Sequence, residues 1–135
     1  KAYGLAGLRV GYSLCSPLVA DFINRVREPF NVNFTAQVAA IAALKDDDYL
    51  SESIKVNSDG YEQLVECFKS LHLNFIPSHA NFIAVEFDDA MDIYNALLKE
   101  GVIVRPVEMS GYLRISIGTF EENAHLIAAL NKILC

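Results

Sequence analysis

Residues 1–12 read KAYGLAGLRVGY, and this stretch decides how the rest of the chain is understood. The amine of Lys1 can form a Schiff base with an aldehyde. Gly4 and Gly7 allow tight turns in which backbone N–H groups approach an anion, and Arg9 presents a planar set of donors that suits a phosphate. A ligand with an aldehyde at one end and a phosphate at the other, such as pyridoxal phosphate, matches this combination. An ordinary solvated loop can contain the same residues, so their chemistry alone leaves both interpretations open.

A resemblance to a known family favours the first interpretation. The positions that match the class I and II aminotransferase signature, from its cofactor lysine onward, are Lys1, Gly4, Leu5, Gly7, Arg9, Val10 and Gly11. The later segments PFNVNFTAQVAAIAAL (residues 29–44) and GYLRISIGT (residues 111–119) also resemble this family, and the whole chain resembles the C-terminal part of its histidinol-phosphate aminotransferases. The resemblance implies pyridoxal phosphate as cofactor, with Lys1 as its catalytic lysine and Arg9 as a ligand of its phosphate.

The composition is that of a folded, acidic protein. Of the 135 residues, 53% are hydrophobic and 21% are charged, and the formal net charge is -6. This balance excludes a disordered chain, and without a basic run it argues against a nucleic-acid-binding surface. The longest wholly apolar run, residues 38–44, is too short to cross a bilayer. We therefore expect small-molecule partners, with no nucleic acid and no membrane.

The cysteines and histidines indicate neither a disulfide framework nor a metal site. Cys15, Cys67 and Cys135 are odd in number and widely spaced, and the three histidines form no ligand cluster. Free thiols suit a reducing compartment, so we expect a cytoplasmic protein without a metal. No signal peptide is visible in the sequence.

The hydrophobic pattern predicts two regions of different architecture. From about residue 46 the order is helix, strand, strand, helix, strand, strand, helix, which is typical of an α+β layer on a largely antiparallel sheet. Residues 1–45 predict a strand over residues 9–15, a helix from Pro17, and an alanine-rich helix that can be approached closely from several directions, as a helix buried between layers would be. Within an overall α/β class, the resemblance implies a fold-type I enzyme. Residues 1–45 would end its large cofactor-binding domain, and residues 46–135 would form its α+β small domain.

Local signals refine these elements. A long helix is predicted over residues 49–71, and strands are predicted over residues 81–87 and 112–117. A short strand and turn is predicted over residues 74–78, and a further strand is predicted to begin over residues 102–104 and to be interrupted by Pro106. Asp88 or Asp89 is expected to cap the helix that ends before Gly101. Asn31 and Asn33 either face an active site or, as we favour, cap backbone. The last helix has a capping box at Thr119, and its apolar stripe is predicted to comprise Phe120, Ala124, Ile127, Leu130 and Ile133.

Two further arginines are candidates for substrate binding. The period of two along residues 112–117 places Arg114 on the face opposite Leu113 and Ile115, where it would bind an acid or pair with a glutamate. In the family, the arginine of the matching segment receives the acidic end of the substrate, by bidentate hydrogen bonds. Arg105, in GVIVRP, would add the second positive charge that suits a phosphate ester, or would simply lie at the surface of a strand end.

The function implied by the resemblance is transamination in histidine biosynthesis. Histidinol phosphate and 2-oxoglutarate would yield imidazole acetol phosphate and glutamate, in a homodimer of which this chain is an inactive fragment. The alternatives are an aromatic aminotransferase, an enzyme like threonine-phosphate decarboxylase, or a small non-catalytic domain that binds a partner. Absorbance of a bound cofactor that changes on addition of a primary amine would exclude the last alternative.

Overall fold

The computed structural model describes residues 1–134, which form two compact units. The first unit is Lys1–Ser51 and the second begins at Glu52. The domain boundary that the sequence predicts, between residues 45 and 46, lies within the first unit, and Cys135 lies outside the described residues. The assignment of the two units to the domains of a larger enzyme stays a prediction.

The first unit contains one short 3₁₀ turn, Ala6–Leu8, and two helices, α1 (Pro17–Val26) and α2 (Phe34–Ala43). The predicted strand over residues 9–15 is wrong, because residues 10–16 adopt neither helix nor strand. A strand is held by hydrogen bonds to a neighbouring strand, and no described segment pairs with these residues.

Polar side chains start both helices. Ser16 accepts a hydrogen bond from the backbone N–H of Val19, beside Pro17 at the first helical position. Asn33 Oδ1 accepts one from Ala36 N at 2.8 Å, so Asn33 is the helix cap that we favoured. In α2 only Ala36 is buried, and the helix is not packed on several sides by the described residues, contrary to the prediction.

The second unit is an antiparallel four-stranded sheet with helices. Its sheet order is β1-β2-β4-β3, and each neighbouring pair is antiparallel. The predicted α+β architecture is therefore confirmed. The elements from residue 47 onward are, in chain order, α3 (Asp47–Ser70), β1 (Phe75–Ile76), β2 (Phe82–Glu86), α4 (Ala90–Lys99), β3 (Arg105–Pro106), β4 (Tyr112–Ser116) and α5 (Phe120–Leu134). The first turn of α3 still belongs to the first unit.

One face of the sheet carries the hydrophobic core. Along β2 and β4 buried residues alternate with less buried ones, as the period of two predicts. Helices α3, α4 and α5 cover this face and contribute the other half of the core. The polar side chains of β2 and β4 lie on the opposite face of the sheet. The fully or almost fully buried members are Leu64, Phe68, Ile83, Val85, Leu97, Leu113, Ile115 and Leu130.

Two details around α4 differ from the prediction. The strand that is predicted to begin over residues 102–104 begins only at Arg105. Val102 N instead donates to Leu97 O at 2.9 Å and thereby completes the end of the helix. Gly101, with φ of 77°, makes this ending possible. At the other end Asp89 occupies the cap position without a side-chain hydrogen bond, since its backbone (φ -117°, ψ 63°) is not in the extended conformation that capping requires.

The buried side of α5 also differs from the prediction. The capping box is confirmed, since Thr119 N donates to Glu122 Oε2 at 2.8 Å and Glu122 N donates to Thr119 Oγ1. However, Phe120 is 71% exposed, Ala124 is exposed, and Asn123 is only 2% exposed. Asn123 is turned inward because it accepts a hydrogen bond from Gly118 N and donates one to Gly118 O. The rest of the predicted stripe is confirmed, since Leu130 is fully buried and Ile127 and Ile133 pack against the core.

Gly60 in α3 leaves the space that this arrangement of Asn123 needs. A Cβ atom at position 60 would lie 2.7 Å from Ile117 Cγ2 and 2.8 Å from Asn123 Nδ2. We expect Gly60→Ala to lower the free energy of unfolding by about 1–2 kcal/mol, because the cost of overpacking exceeds the gain in helix propensity. Urea denaturation followed by circular dichroism measures this change. Ser58→Ala, an exposed position in the same helix, should cost nothing, and an equal effect of both substitutions would contradict the packing argument.

Within residues 1–134, no helix is both long and apolar enough to cross a membrane. The same residues contain no group of three or more histidines, cysteines or carboxylates placed to hold a metal ion.

Candidate functional site

The first candidate site is the turn that begins at Lys1. Gly4 N donates a hydrogen bond to Lys1 O at 3.0 Å, and Gly4 has a φ of 67°. A Cβ atom at position 4 would lie 2.8 Å from the hydroxyl oxygen of Tyr49. The positive φ therefore favours glycine here, and a larger residue would also displace the Tyr49 hydroxyl. The turn leaves Lys1 exposed to solvent.

Arg9 directly follows the 3₁₀ turn and has left-handed backbone. Its φ is 55° and its ψ is 35°, and Nη1 donates to Ala6 O at 2.8 Å. A non-glycine residue in this conformation costs about 1–2 kcal/mol, and such strain concentrates at functional sites. The side chain is exposed, and in the part of the chain that the structure describes its guanidinium forms no ion pair. Most of its N–H donors therefore remain available to an anion.

The donor groups of this turn fit pyridoxal phosphate. The Lys1 amine, like the Arg9 guanidinium, has no carboxylate partner among residues 1–134, so neither charge is neutralised there. Cβ atoms added at Gly7 or Gly11 would meet nothing within 4 Å, which leaves the backbone beside Arg9 open. An amine for the aldehyde and a guanidinium for the phosphate are thus both present on one short segment.

Sequence reasoning missed the contribution of Tyr49 and its neighbours in α3. Tyr49 lies in the first turn of α3, where its backbone N–H donates to Asp46 Oδ1 at 3.0 Å, and its hydroxyl group reaches Gly4. Partial burial raises the pKa of Tyr3 above its usual value, and the nearby Tyr12 and Asp47 raise it further. No periodic signal links residues so distant in sequence, so this contact was not predictable from the pattern.

The second candidate site is a pair of arginines on the sheet. Arg105 on β3 is the direct antiparallel partner of Arg114 on β4. Like charges placed opposite each other on neighbouring strands are destabilising unless something neutralises them. Neither guanidinium has a carboxylate within 4 Å among the described residues, and Glu86, on the same face, instead accepts a hydrogen bond from Asn74 at 3.1 Å. This pair therefore has the charge to bind an anion with more than one negative charge.

The structure places the four predicted residues in two pairs, one in each unit. Lys1 and Arg9 belong to the first unit, and Arg105 and Arg114 belong to the second. The alternative in which Arg114 pairs with a glutamate is not found among the described residues. The ring of Phe82 contacts Arg114 instead, with the guanidinium carbon 4.3 Å from the ring centroid.

Comparison with known proteins gives consistent results over nearly the whole chain. The family model for aminotransferase class I and II matches residues 1–130. A histidinol-phosphate aminotransferase of Methylobacillus flagellatus is 53% identical over 137 residues, and histidinol-phosphate aminotransferase 2 of Pseudomonas aeruginosa is 56% identical over 138 residues. Each alignment covers 99% of this chain and 37% of the relative. The chain therefore spans little more than a third of the length of these relatives.

A solved structure supports the same comparison at the level of the fold. The crystal structure of histidinol-phosphate aminotransferase from Sinorhizobium meliloti, in complex with pyridoxal-5'-phosphate, superposes with a TM-score of 0.83 at 31% sequence identity. The match covers 99% of this chain and 39% of that one.

Proposed function

The chain belongs to the class I and II aminotransferase family, and on that premise we propose that it is part of a histidinol-phosphate aminotransferase. The full-length enzyme would transfer the amino group of histidinol phosphate to 2-oxoglutarate in histidine biosynthesis. The observation that carries the proposal is the identity of 53–56% to relatives of that name over 99% of this chain. In this proposal the first unit ends the large cofactor-binding domain of a fold-type I enzyme, and the second unit is its small domain.

Lys1 and Arg9 would hold the cofactor at its two ends. Pyridoxal phosphate, when bound, supplies an electron sink for the bonds at the α-carbon of the substrate. The Lys1 amine would link to the cofactor aldehyde and, once displaced by the substrate amine, would accept the proton from the substrate α-carbon. The Arg9 guanidinium would bind the cofactor phosphate through the donors that Ala6 O leaves unused.

Arg114, with Arg105 beside it, would bind the acidic end of the substrate. A guanidinium takes a carboxylate or a phosphate through two parallel charge-assisted hydrogen bonds. A phosphate ester with nearly two negative charges would also relieve the repulsion between the two opposed arginines. This charge balance favours histidinol phosphate over an amino acid with an apolar side chain, and it equally suits the phosphate of threonine phosphate.

Homodimerisation and a cytoplasmic location complete the proposal. Apolar side chains on α1 and α2, among them Phe22 and Ile41, are half-exposed in the described unit, and a larger assembly would cover them. Cys15 and Cys67 are free thiols, which suit a reducing compartment. Burial raises the pKa of the Cys67 thiol, which keeps it protonated and unreactive.

Reductive trapping tests the proposal directly. The full-length protein is incubated with pyridoxal phosphate, reduced with borohydride, digested, and analysed by mass spectrometry. We expect the reduced cofactor on Lys1 and on no other lysine, and absence of that label would contradict the assignment. Initial rates with 2-oxoglutarate and either histidinol phosphate, phenylalanine or threonine phosphate then decide between the proposed substrate and its two enzymatic alternatives.

A further inference from the structure

We propose that Phe82 is a positioning residue for Arg114, holding its guanidinium in place while leaving its N–H donors available to the anion. The inference rests on the proposed function of Arg114 as the ligand of the acidic end of the substrate. Its first observation is the contact itself, because the guanidinium carbon lies 4.3 Å from the centroid of the Phe82 ring. That distance is well within the range of about 6 Å over which a cation is attracted to an aromatic face.

The sheet register creates this contact. Phe82 is the direct partner of Ser116, and Arg114 is the direct partner of Ala84, so the ring and the guanidinium are diagonal neighbours on one face. Long side chains reach each other across such a diagonal, and the small Ala84 leaves them the space to do so. Because Ile83 and Leu113 are fully buried on the opposite face, the register that brings the two side chains together is firmly specified.

No other described group competes for the charge of Arg114. Glu86 lies on the same face but bonds to Asn74, and no carboxylate approaches the guanidinium within 4 Å in residues 1–134. Arg25 provides a contrast, because it also contacts an aromatic ring, that of Phe22, but forms an ion pair with Asp21 at 2.6 Å. The ion pair thus neutralises the charge of Arg25, whereas the ring contact does not neutralise the charge of Arg114.

A ring contact suits an arginine that must bind an anion. Stacking uses the face of the guanidinium, while its five N–H donors lie in the plane and stay free for bidentate bonds. The contact also restricts a long side chain before the anion arrives, so less conformational entropy is lost on binding. Phe82 therefore contributes to affinity for the acidic group without touching it.

Binding of inorganic phosphate to the full-length holoenzyme tests this role, because the loaded cofactor already occupies the Arg9 donors. We expect Phe82→Leu to raise the dissociation constant about 3- to 30-fold, since an aromatic–cation contact of this kind is lost. Phe82→Tyr retains a ring and should bind within about twofold of the parent. Ile76→Val is the matched control: Ile76 lines the same shallow cavity as Phe82 and should leave binding unchanged. Isothermal titration calorimetry gives the constants.

The kinetic readout separates positioning from structural damage. Phe82→Leu should raise KM for histidinol phosphate by the same factor while kcat stays near the parent value, since the contact serves binding throughout the reaction. If Phe82→Leu does not fold, Phe82→Met, which fills the space without a ring, replaces it in both measurements. If the parent binds phosphate and neither substitution weakens that binding, the inference about Phe82 is overturned while the proposed role of Arg114 stands. A parent that does not bind phosphate, with a KM unaffected by Arg114→Gln, would overturn the proposed role of Arg114 and this inference with it.

Discussion

Replacement of Lys1 by alanine in the full-length protein will lower the transamination rate by about 10²–10⁴-fold, the usual contribution of a general acid–base group. The same substitution will abolish retention of pyridoxal phosphate through gel filtration after borohydride reduction. Both effects follow from the proposed function, in which one amine links to the cofactor aldehyde and later accepts the substrate proton. The measurements are initial rates with saturating histidinol phosphate and 2-oxoglutarate, and cofactor content by mass spectrometry.

The loss should be chemical and not structural. Lys1 is exposed and forms no ion pair among the described residues, so the melting temperature of the unloaded protein should not change. Lys45→Ala, at another exposed lysine of the same unit, is the matched control and should keep full activity. A small primary amine such as methylamine should restore part of the rate of the Lys1→Ala protein, because it replaces the missing base. Activity near the parent value without Lys1 would refute its assignment as the catalytic lysine.

The fold of the second unit was largely predictable because its signals are local. Alternation along β2 and β4 follows from a sheet with one buried face, and the prediction that Leu113 and Ile115 lie on the face opposite Arg114 is confirmed. The capping box at Thr119 and the helix-ending Gly101 depend on neighbours three or four residues away, and both were identified. Such signals can be recognised in the sequence because the residues that interact are close together along the chain.

The wrong predictions concern features that depend on hydrogen bonds and partners that the apolar pattern does not show. A strand over residues 9–15 would need a neighbouring strand, which no other part of the described chain supplies. At the start of α5 the buried side is set by the hydrogen bonds of Asn123 to Gly118, and an apolar pattern gives no sign of a buried polar residue. The sequence predicted that Arg105 adds a positive charge near Arg114, but not that the two are direct partners on neighbouring strands.

The residues of the candidate site likewise fall into those that the sequence identifies and those that only the fold reveals. Lys1 and Arg9 were identified from one short motif, and their roles stay predictions that the trapping experiment decides. Phe82 and Tyr49 were not identified, because each acts through a residue brought near it only by folding. A residue that performs chemistry can be recognised in the sequence by its functional group. An aromatic residue that positions it can be recognised only once the strand register or the packing is known.

Phe68→Ala will lower the free energy of unfolding by about 3–5 kcal/mol, the range for removing a large aromatic side chain from a core. Phe68 is fully buried on α3 and packs against Phe75, with the two ring centroids 5.9 Å apart. The substitution removes apolar burial, leaves a cavity beneath the sheet, and forfeits this aromatic contact. Urea denaturation followed by circular dichroism measures the change.

Phe120→Ala makes the identical chemical change in the same unit and should cost about 0.5 kcal/mol or less, as surface substitutions usually do. The apolar pattern alone predicts that Phe120 is part of the buried stripe of α5, whereas the structure leaves it 71% exposed. Comparison of the two substitutions therefore tests whether Phe120 is buried, as the hydrophobic pattern predicts, or exposed, as the inward position of Asn123 requires. A loss at Phe120 as large as that at Phe68 would mean that the first turn of α5 buries Phe120, as the apolar pattern predicts, and that the inward position of Asn123 is wrong.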